Sequence, residues 1–297
     1  MSKKLPSIGH RLVSGFSLAG ALFAAFFFLP DAFMPVVLAG LGGLLAWEFY
    51  GLLAASGVSN YRCLGTIGCV AMILVTWFAQ PGWGAAVLLI MTVAVLLRTF
   101  PQKNNPKPLE TISGTLFGLM YVGLLWSAMA QLVLYPRTAY AHAGWGAISW
   151  TGRCLLLYAV FMAKWTDIGA YMTGCLFGRH KLCPRISPAK TWEGVVGGIT
   201  WGTLCGCLLV WGVNRWAAGA PFASVGLTWM RAIPLGIAAG AMGVVGDLTE
   251  SLIKRAAGVK DSGGVIPGMG GLMDVLDSLL FTAPMVYVFL VAMEGWV

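Results

Sequence analysis

The sequence predicts an all-α, polytopic membrane protein with its N-terminus in the cytoplasm. Of its 297 residues, 58% are hydrophobic and only 10% are charged, and the mean hydropathy is +0.80. This composition excludes a water-soluble protein, because so few charged residues could not cover a folded surface. Apolar runs of about 20 residues, enough to cross ~30 Å of hydrocarbon, recur along the whole chain.

Nine such runs are predicted to cross the membrane. The first follows three basic residues, Lys3, Lys4 and Arg11, an arrangement that a cleaved secretory signal would share. We expect this run to be retained as a helix, because no small-x-small cleavage site precedes a soluble region and more apolar sequence follows. The nine runs lie near residues 13–30, 32–50, 61–80, 83–99, 111–134, 152–176, 194–213, 231–250 and 275–295.

Basic side chains predict the orientation of these runs, since short cytoplasmic loops collect Lys and Arg. With a cytoplasmic N-terminus, fourteen of the 19 Lys and Arg residues fall in cytoplasmic segments, and Lys164 falls inside a span. The opposite side holds only four, Arg137, Arg153, Arg215 and Arg231. This bias accounts for the net charge of +8, with attraction to anionic lipid headgroups as the alternative. The dispersed basic residues do not predict a nucleic-acid partner.

Acidic residues predict where the chemistry lies. Seven of the 11 fall in or beside two polar loops, residues 177–193 and 251–274, both on the predicted cytoplasmic side. Residues 1–150 are therefore predicted to form a transmembrane scaffold region, and residues 151–297 a catalytic region. The seven acidic residues are Asp167, Glu193, Asp247, Glu250, Asp261, Asp274 and Asp277.

Asp167 lies within an apolar run, three residues after Lys164, so the two side chains share one helical face. One interpretation is an ion pair that holds helices together. A carboxylate inside a membrane costs roughly 2.5–3.5 kcal/mol on insertion scales, so such residues usually face a polar cavity. We therefore expect Asp167 to lie on a cavity wall.

Two predicted helix ends combine carboxylates with cations. Asp247, Glu250, Ser251 and Lys254 fall on one stripe at 3.6 residues per turn. Asp274 and Asp277 share a face at the start of the last run, where stabilisation of the helix dipole is the alternative reading. Because no His or Cys lies nearby, the three aspartates Asp247, Asp274 and Asp277 favour a hard cation, magnesium before zinc.

The segment between these helix ends is glycine-rich, reading I-P-G-M-G-G over residues 266–271. Its backbone amides could cradle phosphate oxygens, or the segment could form a tight turn between helices. Together with Lys254, Arg255 and Lys260 and the aspartates, however, it supplies what nucleotidyl transfer requires. Those requirements are cations that neutralise a triphosphate and a metal that orients it.

The stretch Ser251–Asp277 resembles the signature of the phosphatidate cytidylyltransferases, also called CDP-diacylglycerol synthases. That signature runs S-x-x-K-R, four residues, K-D, then P-G-H-G-G and D-R-x-D. An upstream block over residues 167–194, which includes S-P-A-K-T-W-E-G, is similar to the same family. Met269 stands where the family pattern has His and Val275 where it has Arg, so no role of that His or Arg is carried over.

The resemblance implies transfer of a cytidylyl group from CTP to phosphatidate, with magnesium and with a second cation left open. It implies a homodimer among membrane lipids in a bacterial inner membrane, and the bias of basic residues predicts that the active site faces the cytoplasm. The implied metal ligands are Asp247, Asp274 and Asp277, and Lys254 and Ser251 are implied to be catalytic. The implied substrate-binding residues are Arg255, Lys260, Asp261, Ser187, Lys190, Thr191, Glu193, Gly268, Gly270 and Gly271.

Other functions stay open at this point. A polyprenol or phytol kinase would share the C-terminal carboxylates, although the upstream block argues against it. A secondary transporter could use Asp167 and Lys164 along an ion path, and Met269 and Val275 leave room for a non-catalytic lipid-binding protein. The glycines at every fourth position from Gly194 to Gly206 predict close helix packing, either within the chain or between subunits.

Overall fold

Helices follow the apolar runs of the sequence through most of this computed structural model. The structure describes residues 28–79, 83–100, 105–135, 148–266 and 270–294, together with Gly20, Ala24 and Phe26. A single 3-10 turn, Asp31–Phe33, precedes the first long helix. The helices are α1 Met34–Ala55, α2 Arg62–Phe78, α3 Trp83–Thr99, α4 Pro108–Gly118, α5 Leu125–Val133, α6 Trp150–Phe177, α7 Trp192–Trp216, α8 Trp229–Ala256 and α9 Met273–Glu294.

Eight of the nine predicted spans coincide with these helical segments. A π-helical stretch, Leu119–Leu124, joins α4 to α5, so these elements form one continuous segment. The predicted run 13–30 lies mostly outside the described residues, and the nine-helix count therefore stays a prediction. Among the described residues, five helical segments are long and apolar enough to cross a membrane: Asp31–Ala55, Pro108–Val133, α7, α8 and α9. The predicted class, an all-α membrane protein, agrees with these segments.

One small element departs from the helical expectation. Strands β1, Lys181–Cys183, and β2, Ser187–Thr191, form an antiparallel hairpin. Thr191 then caps α7, because its Oγ1 accepts a hydrogen bond from Gly194 N at 3.1 Å. Only two short strands are involved, and the period-2 pattern that announces longer strands has no room to develop here.

The chain packs as two units. The first combines Met1–Ser127 with Ile253–Leu276, and the second combines Ala128–Leu252 with Asp277–Val297. This division differs from the predicted boundary near residue 150, which stays a prediction for function. Both α8 and α9 contribute to each unit.

In the first unit, Tyr50 of α1 contacts both α2 and α4. Its hydroxyl donates to Thr115 O at 2.7 Å, and its ring occupies the space that a Cβ at Gly65 or Gly118 would need. These glycines allow α1, α2 and α4 to approach closely. Trp126 adds a long-range contact by donating from Nε1 to Leu38 O at 2.9 Å.

Glycines set the helix packing of the second unit. A Cβ at Gly198 would lie 2.7 Å from Thr166 O in α6, and Gly202 and Gly206 likewise face α6. The stripe on α7 therefore packs within the chain, which was one of its two predicted uses. On α8, a Cβ at Gly246 would lie 2.6 Å from Asp277 O in α9, so backbone contact places Asp247 next to this part of α9.

Candidate active site

A cavity of about 380 Å³ lies in the second unit. Side chains from α6, β2, α7 and α8 line it, so the upstream block and one of the predicted metal ligands face the same space. Its polar lining residues are Thr166, Asp167, Tyr171, Ser187, Lys190, Thr191 and Asp247.

Lys190 and Asp247 form the central ion pair of this cavity. Lys190 Nζ lies 2.6 Å from Asp247 Oδ2, a contact that meets the distance for an ion pair but not the angles of a hydrogen bond. Strand β2 presents the lysine and α8 presents the aspartate. Ser251, one turn along α8, donates to Asp247 Oδ1 at 3.5 Å, the outer limit of a hydrogen bond. A cation and a carboxylate therefore point into one pocket from two elements.

Asp167 lies on the cavity wall, as predicted. Its Oδ2 accepts a hydrogen bond from Ser278 Oγ at 3.0 Å. Lys164 Nζ stands 3.6 Å from the same oxygen, so the two residues form an ion pair. Both lie in α6, however, so this pair does not join two helices.

Asp277 is buried, with 8% of its surface exposed. Its Oδ1 accepts a hydrogen bond from Ser278 N at 2.6 Å. Asp247 and Asp167 are close enough to interact with it repulsively, and Lys164 offsets part of that repulsion. Five charged side chains therefore lie close enough to influence one another electrostatically. They are Asp167 and Lys164 from α6, Lys190 from β2, Asp247 from α8 and Asp277 from α9.

The carboxylate and hydroxyl oxygens of this cluster suit a hard cation, although the thiol of Cys175 also lines the cavity. Within the described ranges no group of three or more His, Cys, Asp or Glu residues has metal-binding geometry. Magnesium usually takes one or two protein carboxylates and completes its shell with water and substrate phosphates. Asp247 and Asp277 fit that requirement.

A second polar cluster lies in the first unit, around Asp274. Lys254 Nζ donates to Asp274 Oδ1 at 2.7 Å, and both side chains are largely buried. The other oxygen, Oδ2, accepts from Gly271 N at 2.7 Å and from Ser262 N and Oγ at 2.8 and 2.9 Å. The predicted Lys254 and Asp274 are thus brought together, with the glycine-rich loop attached to them.

Gly270 shows why this loop needs glycine. Its φ is +103°, and a Cβ there would collide with Asp274 Oδ2. Ile266 and Gly270 exchange two backbone hydrogen bonds, of 2.9 and 3.2 Å, which close the loop on itself. Gly268 and Met269 lie outside the described residues.

Comparison with known proteins agrees with these motifs. The model of the cytidylyltransferase family matches residues 9–293, almost the whole chain. The chain belongs to the cytidylyltransferase family.

Three relatives within this family carry a more specific name. A phosphatidate cytidylyltransferase of Pseudomonas aeruginosa is 32% identical over 97% of this chain and 98% of its own length. One of Haemophilus influenzae is 31% identical over 93% of this chain and 96% of its own. The chloroplastic phosphatidate cytidylyltransferase 5 of Arabidopsis thaliana is 31% identical over 93% of this chain and 69% of its own.

Several predicted residues of the cytidylyltransferase signature lie at the surface. Arg255, Lys260 and Asp261 are exposed. Glu193 is absent from the cavity lining, and its carboxylate instead accepts from the backbone amides of Arg179 and His180. His180, which is itself exposed, places Nδ1 2.6 Å from Glu193 Oε1.

Sequence reasoning missed Glu48, which it assigned only to the scaffold. This residue lies in α1, and its carboxylate accepts hydrogen bonds from Leu272 N and Met273 N at 3.0 and 2.9 Å. The available signal was its position between Trp47 and Phe49 in an apolar run, because an acidic residue within a membrane span is by default a candidate functional residue.

Proposed function

We propose that this chain transfers a cytidylyl group from CTP to phosphatidate and releases CDP-diacylglycerol and pyrophosphate. Its membership of the cytidylyltransferase family over almost its full length carries this proposal. The cavity that presents Lys190 and Asp247 together supports it, because Lys190 belongs to the upstream signature block and Asp247 is one of the predicted metal ligands.

The reaction joins two anions. A phosphate oxygen of phosphatidate attacks the α-phosphorus of CTP, a P–O bond forms, and the bond to the β-phosphate breaks with its electron pair leaving on pyrophosphate. The attacking oxygen is already anionic near neutral pH, so no strong general base is needed. Neutralising the approaching charges is therefore the main catalytic task.

The lysine of the cavity, Lys190, suits that task. Lys190 would bind a substrate phosphate once that phosphate competes with Asp247 for its ammonium group. Lys164 adds positive charge nearby, 3.6 Å from Asp167. An ammonium group held against a carboxylate in a part-buried pocket is already positioned, so little reorganisation is needed when phosphate arrives.

Magnesium is the proposed cofactor, and Asp247 and Asp277 would hold it. When bound, it would neutralise the triphosphate and polarise the α-phosphoryl group. The mutual repulsion of the carboxylates around Asp277 supports a cation at this place. The assignment of Asp274 to the same metal remains a prediction from the signature, and a second cation is left open.

The membrane arrangement is also part of the proposal. We place the N-terminus, the hairpin and the glycine-rich loop on the cytoplasmic face of a bacterial inner membrane, where CTP is available, with nine spans in all. The bias of basic residues supports this orientation. A homodimer among membrane lipids is proposed from the family resemblance alone.

An incorporation assay tests the activity. The purified protein is incubated with radiolabelled CTP and phosphatidate in detergent micelles, with magnesium or with excess chelator. We expect labelled lipid only with phosphatidate and magnesium together, and none when diacylglycerol, which lacks the phosphate, replaces phosphatidate. Labelling that is independent of phosphatidate would reject the proposal.

A further inference from the structure

Glu48 is a buried carboxylate in an otherwise apolar helix. It lies in the C-terminal half of α1, and only 7% of its surface is exposed. A carboxylate in such a place is costly unless hydrogen bonds compensate for its lost hydration. Lipid contact or helix packing alone, the role predicted for residues 1–150, does not account for it.

Its hydrogen bonds end at the start of α9. Leu272 N donates to Oε1 at 3.0 Å and Met273 N donates to Oε2 at 2.9 Å. Amides in the first turn of a helix have no partner within the helix, and a negative charge there is favourable. Glu48 therefore caps α9 from a helix more than 200 residues away in the sequence.

Glu48 is also linked to the pair that follows. Ser262 Oγ lies 3.5 Å from Glu48 Oε2 and donates to Asp274 Oδ2 at 2.9 Å. Asp274 in turn accepts from Lys254. One network thus joins α1, the glycine-rich loop, the end of α8 and the start of α9 within the first unit.

Two glycines make room for this carboxylate. A Cβ at Gly263 would lie 2.8 Å from Glu48 Oε1, and one at Gly271 would lie 2.6 Å from Oε2. At the neighbouring Gly264 a Cβ would meet nothing within 4 Å. Gly263 and Gly271 therefore allow the loop to pack closely around the Glu48 carboxylate. This explains glycine at both positions without invoking phosphate binding.

We propose that Glu48 is a positioning residue, which holds the glycine-rich loop and the first turn of α9 so that Lys254 and Asp274 meet in their working arrangement. It acts through Leu272, Met273 and Ser262 and touches no substrate. The inference rests on the proposed cytidylyl transfer for its kinetic consequence. Its structural consequence can be measured separately.

The test compares Glu48→Gln with Glu110→Gln. Glutamine keeps the volume of Glu48, but its NH₂ group cannot accept, so one of the two amide donors loses its partner. Glu110 lies in the same unit and pairs with Lys107 one turn away at the surface, so its substitution makes the same chemical change without touching the loop. Glu48→Asp keeps the charge on a side chain one methylene shorter.

Two measurements are made on each full-length variant in detergent. Hydrogen exchange of a peptide that covers residues 270–276 reports whether the start of α9 is held, and we expect about tenfold or faster exchange in Glu48→Gln. Kinetics report the consequence: we expect kcat to fall about 10²-fold, because small misplacement is costly, while KM for phosphatidate is unchanged. Glu48→Asp should lie between wild type and Glu48→Gln in both measurements.

A glycine pair gives an independent check. Gly263→Ala should raise exchange and lower kcat in the same direction as Glu48→Gln, because its methyl group displaces the carboxylate. Gly264→Ala should match wild type, since its methyl group enters open space.

Three results would overturn the inference about Glu48 or the function on which it rests. If exchange and kcat of Glu48→Gln equal those of Glu110→Gln, the inference is overturned. Faster exchange with unchanged kcat would overturn the link between the loop and the reaction. If wild-type protein itself makes no CDP-diacylglycerol, the proposed function fails, while the exchange comparison still decides whether Glu48 holds α9.

Discussion

Asp274 and Asp277 are three residues apart in α9, yet their carboxylates have different surroundings. Asp274 accepts from a lysine, two backbone amides and a hydroxyl, all in the first unit. Asp277 accepts from the amide of Ser278 and experiences the charges of Asp247 and Asp167 in the second unit. A carboxylate offers about four acceptor positions, so Asp277 has more capacity left for a cation than Asp274 has.

The first prediction concerns these carboxylates. Asp277→Asn or Asp274→Asn should lower turnover by about 10²–10³-fold or more, because each removes a charge on which metal or phosphate binding depends. Activity at limiting and saturating magnesium and the elution profile in detergent are the measurements. Asp31→Asn, the same change in the 3-10 turn before α1, is the control and should behave as wild type. Near-normal activity of either variant at limiting magnesium would contradict its assignment as a metal ligand.

The second prediction separates Lys254 from Arg255. Adjacent residues in a helix point about 100° apart, and the structure places Lys254 against Asp274 while Arg255 is exposed. Lys254→Ala should therefore cut kcat sharply, whereas Arg255→Ala should mainly raise the apparent KM for phosphatidate. Both constants are measured for both substrates. The same pattern in both variants, or the reverse one, would show that this division between two faces is wrong.

The long helices could be predicted from the sequence, whereas the hairpin and the role of Glu48 could not. The long apolar helices were predictable because burial in lipid requires sustained apolar runs, and α7 and α9 follow them closely. The cavity wall at Asp167 was predictable from the cost of its charge. The hairpin was not, because its strands are short, and neither was the role of Glu48, because its partners lie more than 200 residues away.

The third prediction tests the glycine stripe of α7. Gly198→Ala should lower the free energy of unfolding of the detergent-solubilised protein by about 1–3 kcal/mol and should therefore lower its Tm. The reason is that the new Cβ would lie 2.7 Å from Thr166 O and 2.8 Å from Ala170 Cβ. Gly40→Ala in α1, where a Cβ meets nothing within 4 Å, is the matched control and should be neutral or slightly stabilising. Thermal unfolding of both variants is the measurement. Equal Tm values would show that α6 and α7 do not depend on this contact.

At the scale of the whole molecule, the two polar clusters described above lie in different units. The second unit holds the cavity with Lys190 and Asp247, and Asp277 lies near enough to Asp247 to interact with it. The first unit holds the loop with Lys254 and Asp274. The two signature blocks predict which residues matter from local residue types and spacings, and this stays a prediction. How the residues divide between units was not predictable, because α8 and α9 each contribute to both.

The fourth prediction concerns orientation in the membrane. Cysteine reporters placed near Arg185 and near Lys260, in a background without the seven native cysteines, should react with a membrane-impermeant thiol reagent only from the cytoplasmic side. Reporters near Arg137 or Arg215 should react only from the opposite side. Labelling of the Arg185 or Lys260 position from outside would reject the proposed topology with a cytoplasmic N-terminus.

The position of the label in the product tests the central claim most directly. CTP labelled at the α-phosphorus and CTP labelled at the γ-phosphorus are supplied in parallel with phosphatidate and magnesium, and lipid and aqueous products are separated. Cytidylyl transfer predicts that the α-label enters the lipid while the γ-label leaves as pyrophosphate. A γ-label in the lipid would make the chain a CTP-dependent lipid kinase and would contradict the account.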